Sequence, residues 1–420
     1  MNKFNEIINI ICREPYRLFF PLGVGMGVVG IGPWLLYALK LSASYSGVFH
    51  SSMQMLVYMN CFIIGFLMTF IPRFTGTFYS NKAEVFSFLL LLIGMAFFLQ
   101  RQEWIMAQIL YLIWLVLLVV FVMRRVVHRK STGGNPPVEL IWIPVAILHA
   151  FIGVIILLLA QWQIIPGGMS KIGRPMMEQG FLISIVLGIG GFLIPRILGI
   201  YQKEEVNPGG CCGSCVCAAR KISPVIKSLW FHVGCSILLF ISFWFQDPAW
   251  LGAGYAFKGI VAMSQFLWTR TLTRYPRNIG LYGKIAWGSC WMVVIGFCGA
   301  AFFPRYDVEM LHITFIGGFS LMTFAIATMV IFSHSGQAEQ LKNPLWILWV
   351  VLLAVGFTLL KRLSVVFFPE SYFNLLGMAS TAWIFGAGAW LIFVLPKLFY
   401  VPNEDEFAKM HEQSKQRSNG

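Results

Sequence analysis

The chain has 420 residues, 58% hydrophobic and 11% charged, with a mean hydropathy of +0.74 and a formal net charge of +14. An ordinary soluble domain carries about a quarter charged residues, so this composition excludes a soluble globular fold. Apolar runs long enough to cross a hydrocarbon core of about 30 Å must be helical, because lipid obliges each backbone group to bond within its own segment. The period-2 alternation of a transmembrane barrel is absent. The expected fold is therefore an all-α, polytopic bundle of about twelve helices in the lipid bilayer.

In chain order the spans are predicted at 18–39, 50–71, 84–100, 104–123, 139–160, 177–200, 226–245, 249–268, 281–303, 311–332, 346–368 and 373–399. Together they make one transmembrane domain, 18–399, after a short N-terminus (1–17). It contains a Cys-rich loop (201–225) and is followed by a tail (400–420). The third and fourth spans equally read as one tight hairpin around Gln100-Arg101-Gln102-Glu103. The first apolar run is too long for a signal-peptide core and lacks a small-residue cleavage site, so it reads as a retained helix. Trp104, Trp162, Trp250, Trp268 and Trp346 fall at predicted span ends, where an amphipathic ring prefers the headgroup level.

Of the 31 Lys and Arg residues, 23 fall on one side if the N-terminus is cytoplasmic, 7 on the other, and Lys258 lies inside a span. The positive-inside bias thus places both termini in the cytoplasm and makes the net charge a topology signal, with no support for nucleic-acid binding. All seventeen carboxylates fall in loops or near span ends, and no broken helix is obvious. Both observations count against an ion-coupled carrier, which commonly buries a carboxylate at mid-membrane.

Two segments echo each other. Gly65-Phe66-Leu67 and Ile71-Pro72-Arg73-Phe74-Thr75-Gly76 close the second span, and Gly191-Phe192-Leu193-Ile194-Pro195-Arg196-Ile197-Leu198-Gly199 closes the sixth. Four helices separate the copies, which suggests a repeat of four-helix units. Arg73 and Arg196, with Arg17 at the same face, read either as an inner cationic cluster that clamps an anion such as haem propionates or as positive-inside helix stops. Lys258 reads either as a snorkelling lysine or as a buried counter-charge or proton path.

Five histidines lie in or at the ends of spans: His50, His149, His232, His312 and His334. Neutral imidazole is the commonest metal ligand and a frequent haem axial ligand, so the set reads either as cofactor ligands or as packed polar groups of the core. Depth sorts them into an outer pair, His50 and His312, and an inner group, His232 and His334, with His149 near the middle. From His312 to His334 is about 33 Å at 1.5 Å per residue, so one cofactor cannot use both. A haem on the outer pair lies too far from the inner arginines. Either an inner haem sits on His334 or His232, or the arginines only mark topology. In the Cys-rich loop, Cys211, Cys212, Cys215 and Cys217 lack the spacing of a structural zinc site. They suit either soft copper or an inert, lipidated juxtamembrane segment. No Walker loop, dinucleotide fingerprint or soluble catalytic triad is present.

Three stretches together resemble the NnrS family: Glu14-Pro15-Tyr16-Arg17-Leu18-Phe19-Phe20-Pro21; His50 with Gly65 to Pro72; and His312-Ile313-Thr314-Phe315-Ile316-Gly317 with Met322-Thr323 and His334-Ser335-Gly336. The resemblance runs from residue 14 to about 337. It implies a bacterial inner-membrane protein containing haem and copper and linked to nitric oxide tolerance, with His50, His312 and His334 as ligands. It also implies nitric oxide as a small-molecule ligand and, if NO is reduced, an oxidoreductase served by a membrane electron donor. The chain departs from the family at Ser52 and Met53, which replace a His-Glu pair, and at Met329 and Gln337, which replace basic residues. The competing classes are a transporter or permease and a non-catalytic haem-binding sensor or assembly protein.

Overall fold

Pro15 cannot continue the helix that precedes it, so the chain turns between a short amphipathic helix, α1 (Lys3–Arg13), and the first long apolar one, α2 (Tyr16–Ala38). A computed structural model describes residues 3–129, 137–200 and 224–400. Beyond α2 it runs α3 (Gly47–Thr75), α4 (Lys82–Gln100), α5 (Trp104–Val127), α6 (Val138–Gln161), α7 (Gly167–Ile197), α8 (Pro224–Ser242), α9 (Leu251–Trp268), α10 (Leu281–Phe302), α11 (Pro304–His334), α12 (Trp346–Ser364) and α13 (Pro369–Leu398). Among the described residues there is no strand, and ten of these helices are long and apolar enough to cross a membrane. The antiparallel pair α8 and α9 adds two shorter or more polar ones. The chain is an all-helical, multi-pass membrane protein.

Local chemistry sets the boundaries. Asn81 caps α4 by accepting from the Glu84 N–H at 2.8 Å, and Glu84 reaches back to the Asn81 N–H at 3.0 Å. The same Glu84 pairs at 2.8 Å with the buried Arg125 of α5, fastening the α4–α5 hairpin whose turn passes through Gln102 at φ 58°. In α2, the bare α-carbon of Gly27 lets α3 and α13 close in. A Cβ there would sit 2.5 Å from the Trp383 ring and 2.9 Å from the Tyr58 ring.

Burial divides the helices into two sets. Inside the protein lie 89%, 78% and 72% of the most apolar windows of α3, α7 and α11, against 28–50% for the other membrane helices measured the same way. These three therefore form the centre, and the rest surround them. Each central helix contains π-helical turns: Met53–Tyr58 in α3, Met176–Gly180 and Val186–Gly190 in α7, and Ile313–Ser320 in α11. Each is also followed by a glycine in the left-handed region: Gly76 at φ 65°, Gly199 at φ 65° and Gly336 at φ 71°.

The central helices correct the hydropathy reading. They begin at residues 47, 167 and 304, upstream of the expected 50, 177 and 311. Their first turns are exposed or half-buried, yet the helices run on through Lys171, Arg174, Asp307 and Glu309. Glu178, expected at a span end, lies eleven residues inside α7 and is buried. The helices expected to be continuous are widened by π turns, a feature concentrated at functional sites. Lys258 is 2% exposed, which decides against snorkelling.

Candidate functional site

At the end of the bundle where α3, α7 and α11 begin, a cavity of about 360 Å³ opens between them, α2, α12 and α13. His50 and His312, 262 residues apart in sequence, both line it. The Nδ1–H of His50 donates to the Gly30 carbonyl of α2 at 3.0 Å, and that of His312 donates to the Val308 carbonyl of its own helix at 2.5 Å. A carbonyl only accepts, so each neutral ring carries its proton on Nδ1 and keeps its lone pair on Nε2. This is how metal-binding imidazoles are commonly oriented, with the second nitrogen committed to a backbone carbonyl. Gln54, one turn after His50, donates to the Gly27 carbonyl at 3.0 Å and so braces the same helix contact.

The rest of the lining adds polar groups that sequence reasoning did not assign to a site. Glu178 accepts from the Ser52 hydroxyl at 3.3 Å, joining the first π turn of α7 to α3 just ahead of its own π turn. Its neighbour Gln179 also lines the cavity and accepts from the Lys258 ammonium at 3.1 Å, behind the wall. Lys258 in turn lies over the Phe243 and Tyr255 rings, at 4.4 and 4.8 Å, and the Tyr255 hydroxyl donates to Asp307 at 2.8 Å. On another wall Arg362 pairs with Glu309 at 3.3 Å. Deeper in, Ser320 meets the Tyr58 hydroxyl at 3.1 Å and accepts from Trp383 Nε1 at 3.4 Å. Met55 and Met59 bring thioethers to the lining. The sequence signal for Glu178 was the polar pair Glu178-Gln179 inside an apolar run, visible only if the span starts at Gly167.

The opposite end holds a different arrangement. Glu14, 2% exposed, pairs with Arg17 at 2.6 Å and Arg73 at 2.7 Å. His334 lies at 2.8 Å from the same carboxylate through Nδ1, and its Nε2 lies 2.8 Å from the Arg73 guanidinium. With Nδ1 donating to Glu14 and Nε2 accepting from Arg73, both nitrogens of His334 have protein partners. Burial pushes the Glu14 carboxyl up, yet His334, Arg73 and Arg17 together hold it well below the usual carboxylate range. Arg17 also donates to the carbonyls of Leu398 and Tyr400, at 2.8 and 2.6 Å.

Arg196 donates to the Phe192 carbonyl at 2.7 Å and lies 3.7 Å over the Phe192 ring, which is edge-on to Phe70 of α3. Of the three expected arginines, the structure thus gathers Arg17 and Arg73 with His334 around Glu14 and holds Arg196 on its own helix. His149 and His232 are both buried. His149 Nδ1 donates to the Val145 carbonyl at 2.9 Å, and its ring lies against Phe240 and Phe243. His232 Nδ1 meets Trp142 Nε1 at 3.2 Å and Gln265 at 2.9 Å. Cys211, Cys212, Cys215 and Cys217 lie outside the described residues. Among the described residues no three His, Cys, Asp or Glu side chains cluster as a ready metal site.

No match is found among curated proteins. A family model described as NnrS protein matches residues 10–400.

Proposed function

Because the chain belongs to the NnrS family, we propose that it is a haem- and copper-binding protein of a bacterial cytoplasmic membrane that acts in nitric oxide tolerance, with its cofactor in the His50–His312 cavity. The observation that carries this reading is the convergence of two histidines from separate central helices, each with Nδ1 committed to a carbonyl and Nε2 left basic. A volume of about 360 Å³ is within the range of small-molecule and cofactor sites.

His50 and His312 would supply nitrogen ligands to iron, and Arg362 is the guanidinium on the same wall that suits a carboxylate of the group. The thioethers of Met55 and Met59 suit soft copper. When bound, a ferrous haem supplies a site that takes up NO, with a potential set by the imidazole ligand and the surrounding dielectric. The protein's own part is orientation and exclusion of water. Gly30 and Val308 fix the rings, Glu178 and Gln179 place an acceptor and an amide beside the ligand space, and aromatic walls keep the interior apolar. Arg17, Arg73 and His334 serve instead as a polar knot around Glu14, which gives both His334 nitrogens work other than ligation.

The test is an absorbance spectrum and metal analysis of the purified protein. A Soret band is expected, and His50→Ala and His312→Ala should each remove or shift it. Wild-type spectra in both variants would overturn the assignment. NO consumption in the presence of a reductant then distinguishes turnover from binding alone.

A further inference from the structure

Behind the His cavity the three central helices, with Phe20 of α2, line a second, partly open space of about 80 Å³ on the side toward Glu14. Met59, Leu182 and Phe319 border both spaces, so the two adjoin with these three side chains between them. Each central helix turns residues at i, i+3, i+4 and i+7 toward the common axis, and only Thr323 brings a polar side chain. The space exists because small residues stand where large ones would fit. A Cβ on Gly190 would meet its nearest neighbours at 3.5, 3.7 and 3.9 Å, ordinary contact distances, so crowding does not demand glycine there. Ala327 is the other small residue on this wall.

A packed interior normally fills such a gap, because unfilled volume costs stability. Water does not fill it well either: a buried water needs two to four polar partners, and this lining has one hydroxyl. Apolar cavities of this kind stay dry and admit noble gases or small apolar molecules.

We infer that this space is a dry chamber that holds small, neutral, apolar molecules of the diatomic-gas class and passes them to the His cavity. Its handover role rests on the proposed function above; its occupancy does not. Met59 and Phe319 form the partition, and the flexible thioether chain of Met59 is the part that can swing aside.

The experiment is xenon binding to the full-length protein, read as anomalous density in pressurised crystals and as a ¹²⁹Xe shift in solution. Wild type should bind one xenon bordered by Phe319 and Ala327. Ala327→Leu should abolish that site while leaving the protein's metal and haem content unchanged. Gly190→Ala, which the contact distances accommodate, should weaken binding several-fold if the larger substitution does not fold. The chamber is overturned by an ordered water chain or a lipid tail in the space, or by xenon binding indifferent to both substitutions. A missing Soret band with xenon bound would reject the cofactor reading and keep the chamber. The converse result would do the opposite.

Discussion

At Glu14 a single buried carboxylate pairs with the guanidinium groups of the buried Arg17 and the half-buried Arg73, and removing it takes away the carboxylate that both share. Breaking a buried pair from one side costs about 3 kcal/mol, so Glu14→Gln should lower thermal stability by that order in a detergent or nanodisc melt. The pH dependence follows in sign. Burial raises the Glu14 carboxyl, but its three cationic or donor neighbours hold it below the usual range in the folded protein. Its stabilising contribution is therefore complete above the unfolded value of about 4.3 and is lost as pH falls toward the depressed folded value. Melting temperatures measured from pH 7 down to 3 should fall, and Glu14→Gln should lack that part of the slope. An identical slope in wild type and variant would remove Glu14 from the account. Lys258 gives a second residue-scale prediction. An ammonium only donates, so its bond to Gln179 turns the amide oxygen toward Lys258 and the amide hydrogens away from it. Replacing a buried charge by an apolar residue of similar length is often neutral for stability. Lys258→Met should thus fold normally yet shift the absorption maximum or potential of the bound cofactor, as Gln179→Leu should. An unchanged spectrum in both would mean that this wall does not face the ligand.

Among elements, the outer helices were legible in the sequence and the central ones only in part. Depth alone put His50 and His312 at one end, because each opens a span of the same direction, and the structure brings both to one cavity. Glu178 and the π turns were not legible. Hydropathy marks the apolar stretch of a helix, and the exposed or half-buried polar first turns of α7 and α11 read as loops although the helices begin there. Arg362 entered the sequence reading only as one of the seven outer basic residues, although it lines the cavity. The Gly-Phe-Leu echo did mark matching helix ends, for both copies stop at a left-handed glycine. Substituting Ala at Gly76, Gly199 or Gly336 should cost about 1–2 kcal/mol each, the penalty of a side chain in that region, as read by thermal melts. The π turns give a sharper test. Deleting Val57 shortens the widened Met53–Tyr58 segment by one residue and rotates His50 by about 100° against the rest of α3. The protein should still insert and migrate as a folded species but lose its Soret band. Retention of a normal spectrum would mean that the π turn does not aim His50.

For the whole molecule, the bias of 23 basic residues against 7 predicts an even number of crossings with both termini in the cytoplasm. A C-terminal alkaline phosphatase fusion should be inactive and a green fluorescent fusion bright; the reverse pattern would invert the topology. The cavity also has a wall from each extreme of the membrane domain. Trp34 comes from α2, Tyr372 and Trp383 come from α13, and Arg17 binds the carbonyl of Leu398 where α13 ends. During synthesis the ribosome delivers α2 first and α13 last, so the pocket has an open side until nearly the whole chain is in the membrane. A chain truncated before residue 369 keeps both histidines but lacks the α13 wall of the space between them, so on the proposed reading it should carry no Soret band.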